Sequence, residues 1–200
     1  MSTSTTIAIG TEGSVRVASL ILVAVDDHSD PAYQRSLSAA IELARGTTAG
    51  LLLYDRSTES LMVDPYPFPE LINDSSPLDT VGARFLGRDY LAQQIEACMQ
   101  EGVPASAWLP RARGPKEMAR CARSFGVDAA ILPVKLQSPS LKERVRGNCL
   151  GRFREELQIP IVVVTAEGKL QVLSDAAVTE SRAPLAMDIR PAANPQRRSA

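Results

Sequence analysis

Six apolar residues in a row, Leu20 to Val25, preceded by Ser19 and closed by Asp26-Asp27, restrict this chain more than any other feature. An unbroken apolar run of this length has no polar face to offer water. It suits a strand buried on both sides, as in a parallel sheet. Leu51 to Tyr54, Ala105 to Leu109, Ala129 to Leu132 and Ile161 to Val164 are further short apolar runs. Helical spacing fills much of the space between them. Leu37, Ala40, Ile41 and Ala44 predict a helix over 31–45 that opens on Pro31, and a second pattern runs from Val81 to Glu101 with Gly102 as its stop. Gly114-Pro115 opens a third helix, ended by Gly126, and 148–157 reads as a fourth. Strands alternating with helices imply an α/β fold, an open doubly wound parallel sheet with right-handed crossovers and helices on both faces.

Residues 18–165 form the expected domain, within a chain of 200 residues. Residues 1–17, rich in Ser, Thr and Gly, read as a flexible N-terminal segment without the basic and apolar blocks of a signal peptide. Residues 56–80 carry Pro65, Pro67, Pro69 and Pro77 and read as an irregular insertion. Residues 166–200 are expected to be a disordered C-terminal tail. Lys+Arg at 22 against Asp+Glu at 23 leaves no charge excess to draw the chain to nucleic acid or a membrane surface. The longest apolar run is too short to span a bilayer. Cys98, Cys121 and Cys149 have neither metal nor redox spacing, which suits free thiols in a cytoplasmic protein.

Ligands of open parallel sheets bind beyond the carboxyl ends of the strands, where the strand order reverses. Two loops qualify, one starting at Asp26 and one at Pro133 and running to Gly147-Asn148. Asp26 ends its strand, so it either meets a ligand or begins a turn or helix cap; Asp27 should point elsewhere, because adjacent residues do not share a face. Asn148 suits an N-cap, and Lys135, Lys142, Arg144 and Arg146 read as a solvated basic loop. His28 has no Ser or Cys nucleophile as partner, and no Walker A, GxGxxG or HExxH pattern occurs. No catalytic residue and no metal site is expected.

Val23-Ala-Val-Asp26 with the 31–45 helix, Gly126-Val-Asp-Ala-Ala-Ile-Leu-Pro133, and Gly147-Asn148 followed by Ile159-Pro-Ile-Val-Val-Val164 resemble the universal stress protein family, over about Ser19 to Thr165. The resemblance implies five parallel strands in the order 3-2-1-4-5, the adenine nucleotide alpha hydrolase-like arrangement. It also implies nucleotide contacts (ATP or AMP) at Asp26, Pro133, Gly147 and Asn148. Nucleotide-binding members carry Gly-x-x-Gly, nine residues, then Gly-Ser or Gly-Thr. Here the first two glycine positions are Val134 and Gln137. Phosphate needs close access to backbone N–H groups, which side chains obstruct. The expected function is therefore a regulatory stress-response protein with weak or no nucleotide binding and no required cofactor. The alternative is an adenine-nucleotide-binding protein with at most slow ATPase activity. An ATP-pyrophosphatase-like enzyme ranks last, because its loop after strand one needs glycine and Asp26 to Pro31 has none. In the family the last strand often forms the dimer seam, and a bare apolar edge invites pairing, so a homodimer through Ile161 to Thr165 is expected, the alternative being that the chain after Ala166 folds back and covers the edge.

Overall fold

The structure is a computed structural model that describes residues 8–9, 16–27, 30–45, 47–57, 76–112, 114–137, 141–145 and 149–173. Its centre is a sheet of β1 (Leu20–Val25), β2 (Gly50–Asp55), β3 (Ala105–Trp108), β4 (Ala129–Pro133), β5 (Ile161–Val164) and β6 (Leu170–Leu173). The spatial order is 3-2-1-4-5-6, and the first five strands run parallel, as expected. A separate two-residue ladder pairs Ala8–Ile9 with Arg16–Val17.

Local chemistry sets the helix ends. At α1 (Pro31–Ala44), the Asp30 carboxylate accepts from the Ala32 N–H at 2.8 Å, and Pro31 occupies the first turn, where no N–H is needed. At α4 (Pro115–Phe125), Gly126 turns left-handed at φ 64°, a conformation that costs glycine little. The single helix expected from Val81 to Glu101 is two: α2 (Thr80–Phe85) and α3 (Asp89–Gln100). Gly87 separates them at φ 68°, and Asp79 caps α2 by accepting from the Gly82 N–H. Beyond β4 come a 3₁₀ turn (Val134–Leu136), α5 (Leu141–Val145) and α6 (Leu150–Leu157).

Two apolar layers clothe the sheet. One joins alternate strand residues such as Ile21, Val23 and Leu53 to Leu37, Ala40 and Leu43 of α1 and Leu91, Ile95 and Cys98 of α3. The other joins Leu22, Leu52, Ala130 and Leu132 to Met118 and Ala122 of α4 and Phe153 and Leu157 of α6. The two-sided burial of β1 is what its uninterrupted apolar run requires. Asp128 pins the opposite end of β1, accepting from Ser19 Oγ and from the Ser19 and Leu20 N–H groups.

One sheet edge is partly covered and the other departs from the expectation. Leu78 and Ala107 exchange backbone hydrogen bonds, which covers part of β3. Ile161–Val164 is not an edge strand: β6 lies antiparallel beside it, pairing Ile161 with Leu173 and Val164 with Leu170. The turn between them is closed by the Thr165 N–H donating to Lys169 O, with Gly168 at φ 78°. The expectation of a tail from 166 onward is thus corrected for 170–173. A wholly apolar strand is costly at an edge, and the chain folds back to cover it.

The cysteines divide by burial. Burial pushes the Cys98 thiol up to about 11, and burial together with nearby Glu117 pushes Cys121 up to about 12, so both stay protonated at neutral pH. Cys149 is half-buried. Mild maleimide treatment of the native protein followed by mass spectrometry is expected to label Cys149 alone. Labelling of Cys98 or Cys121 without denaturant would contradict the packing of α3 or α4.

Candidate functional site

The site lies at the carboxyl ends of β1, β2 and β4, where the strand order reverses. Asp26 follows β1 directly and is 5% exposed, whereas Asp27 is exposed, as alternation requires. The backbone carbonyl of Asp26 accepts from Gln94 Nε2 of α3 at 2.9 Å, which fixes the strand end to the helix layer. The cap of α1 is Asp30, so Asp26 does not serve in that role.

Pro133 is buried and ends β4. The next residues do not form an open loop. Val134 to Leu136 wind into a 3₁₀ turn, closed by the Gln137 N–H donating to Val134 O, and Leu136 is buried against the α4–α6 layer. The obstruction read from Val134 and Gln137 is therefore compounded, since Leu136 anchors this segment to the core. Gly147 and Asn148 fall outside the described residues, as does His28. The helix after them begins at Leu150 with Cys149 in the cap position and no side-chain cap bond, so the start expected at Asn148 shifts by two residues.

Lys135 is not a freely solvated member of a basic loop. Its ammonium donates to Asp30 Oδ2 at 2.8 Å and sits 4.3 Å from the centre of the Tyr33 ring. Burial alone would lower its pKa, but the hydrogen bond to Asp30 and the charges near it hold it above its ordinary value. For Asp30, partial burial works upward and is outweighed by Lys135 and the Ala32 N–H, which hold the carboxyl below the usual range. Arg56, immediately after β2, is buried with its guanidinium 5.1 Å from the centre of the Phe153 ring of α6.

Beside these cations sits a polar cluster on the other side of β2. Asp55 is fully buried and accepts from Tyr90 Oη at 2.5 Å, from Ser57 Oγ at 2.7 Å and from the Ser57 N–H at 2.9 Å. Ser57 Oγ and Tyr90 Oη are themselves 2.6 Å apart. Burial pushes the Asp55 carboxyl up, more than these hydrogen bonds and Arg88 bring it down.

Of the residues read from the sequence, the structure thus brings Asp26, Pro133 and Lys135 to one end of the sheet. Asp30, Tyr33, Arg56, Asp55 and Tyr90 were not singled out. Only Asp30 had a local signal, a carboxylate directly before Pro31 at a helix start. The chemistry available is anion attraction by two cations, Lys135 and Arg56, with Lys135 held by the Asp30 carboxylate. Among the described residues no group of His, Cys, Asp and Glu is arranged to hold a metal ion, and no helix is long and apolar enough to cross a membrane.

No protein-family model and no curated protein matches the chain. Several solved structures are similar to it, three of them as follows. One is a universal stress protein in complex with cAMP, 13% identical with a TM-score of 0.48, covering 74% of this chain and 97% of that one. The second is a protein from the universal stress protein family from Burkholderia pseudomallei, 20% identical with a TM-score of 0.47, covering 74% and 96%. The third is a universal stress protein from Archaeoglobus fulgidus, 21% identical with a TM-score of 0.45, covering 74% and 93%. Each of these three is a universal stress protein or a protein from that family.

Proposed function

We propose that the chain is a universal-stress-protein-like regulatory protein of the stress response, acting through contacts with protein partners, with weak or no nucleotide binding. The observation that carries this reading is the segment after β4. Where a phosphate cradle needs turned-out backbone N–H groups and small residues, the chain has a 3₁₀ turn anchored by buried Leu136, and Lys135 is already engaged by Asp30. The motifs from Val23 to Asp26, from Gly126 to Pro133 and from Ile159 to Val164 support the family part of the reading. Dimerisation through Ile161 to Thr165 belongs to it only when β6 is displaced, because β6 uses the backbone groups on that side.

The second reading, an ATP- or AMP-binding protein with at most slow ATPase activity, is favoured by one observation. A carboxylate residue, Asp26, ends β1 at the switch point, with Lys135 and Arg56 nearby at the ends of β4 and β2. Calorimetric titration with Mg-ATP separates the two. The regulatory reading expects no saturation below the millimolar range. Micromolar binding that disappears in Asp26→Asn would establish the nucleotide reading instead.

A further inference from the structure

Two loops meet at the switch point. The first runs from β1 to α1 and carries Asp30; the second leaves β4 and carries Lys135. The Asp30–Lys135 bond crosses from one to the other, over the ring of Tyr33. Arg56 lies close enough for its charge to oppose that of Lys135. Two cations and an aromatic face at the carboxyl end of a parallel sheet would attract a phosphate-bearing anion. Here a carboxylate of the chain itself takes that place.

We propose that the Asp30–Lys135 ion pair is an internal latch, in which Asp30 acts as a tethered counter-anion for the cation that a polyphosphate would otherwise engage. This rests on the reading above, that nucleotide binding is weak, and gives it a second cause besides the missing glycines. The tether has a large advantage in local concentration, since Asp30 is fixed by its cap bond to the Ala32 N–H. The pair is also weak enough to open. Both side chains are 34% exposed, and half-exposed ion pairs contribute little net stability. A polyphosphate entering with Asp30 in place meets a like charge; one entering without it meets an uncompensated Lys135 beside Arg56.

Asp30→Asn isolates the charge, because asparagine caps a helix as well as aspartate does. Asp30→Ser, another favoured cap, provides an independent second variant. The probe is sodium tripolyphosphate at low salt, titrated by calorimetry into the full-length protein, with Mg-ATP as a parallel titrant. Both variants are expected to bind tripolyphosphate about tenfold tighter than wild type, the size of one added charge-assisted hydrogen bond. The gain should vanish in Asp30→Asn combined with Lys135→Gln. Equal affinity of wild type and both Asp30 variants would overturn the latch. So would a gain that persists in the double variant, since it would then come from the lost negative charge and not from Lys135. The wild-type affinity for Mg-ATP is a separate readout: a micromolar value sinks the weak-binding reading, whereas the ratio between wild type and the Asp30 variants decides the latch.

Discussion

A chain that stops after Thr165 is expected to self-associate through β5 more strongly than the full-length chain, in which β6 occupies that edge. The four residues of β5 are apolar and buried, and all of them pair with β6. Leu170 and Val172 pack on one layer of the core and Leu173 on the other. Deleting β6 removes roughly 1 kcal/mol for each of these three half-buried side chains. It also leaves an open row of N–H and C=O groups on a strand that water solvates poorly, the arrangement that templates pairing with another chain. Sedimentation velocity over a concentration series is the measurement. A chain ending at Leu173 is the control, because it keeps β6 and should behave as full length does. If the shorter chain stays monomeric at high micromolar concentration and keeps its stability, β6 is not what protects this edge. If full-length protein dimerises and the seam maps to Ile161–Thr165, then β6 yields to a second copy.

The Asp55 cluster gives the second large effect. Asp55→Ala is expected to cost about 3 kcal/mol, because it leaves the Tyr90 hydroxyl and the Ser57 N–H without their buried acceptor. That is a large part of the roughly 5–15 kcal/mol that holds a domain of this kind. Asp55→Asn should cost only about 1 kcal/mol, since it retains one acceptor oxygen and removes a poorly solvated charge. The pH dependence follows from the raised pKa. In the unfolded chain Asp55 titrates near 3.8, and in the folded protein higher. Between those two values the folded state holds the proton more tightly, so stability falls as pH rises. The contribution is fully present below 3.8 and lost as pH rises through the folded value. Urea unfolding of wild type and Asp55→Asn at a series of pH values should therefore show wild type losing its advantage as pH increases across this window. A constant difference between the two proteins would mean that the carboxyl titrates alike in the folded and unfolded chain, its hydrogen bonds and Arg88 offsetting burial in full.

Elements specified within a few residues of chain were legible before the fold was known. Leu20 to Val25 can only be a strand with two buried faces, because no register gives it a polar side. Asp30-Pro31 starts a helix and Gly126 ends one through bonds that reach two to four residues, so both signals survive in any tertiary context. The parallel sheet followed from these elements, and the order of its five strands from the resemblance that the motifs carry. The candidate crevice followed in turn from that order, as did the placement of Asp26 and Pro133 at it.

What tertiary structure decided are contacts between residues distant in sequence. Lys135 reads as one charge among several in a basic loop until the fold brings it to Asp30, 105 positions earlier, and to the Tyr33 ring. Asp55 and Tyr90 are 35 positions apart, and nothing local couples them. The helical pattern of 81–101 continues through Gly87 at the level of periodicity, yet the chain turns there, because glycine admits the positive φ that breaks the helix into α2 and α3, which pack against each other. Leu170 to Leu173 carries only a weak strand signal; it becomes a strand because β5 beside it offers unpaired backbone groups and an apolar surface. A cap or an apolar period depends on neighbours along the chain, and sequence alone supplies those. An ion pair, a buried carboxylate or a covered edge depends on which distant segment arrives beside it, and only the folded chain determines that.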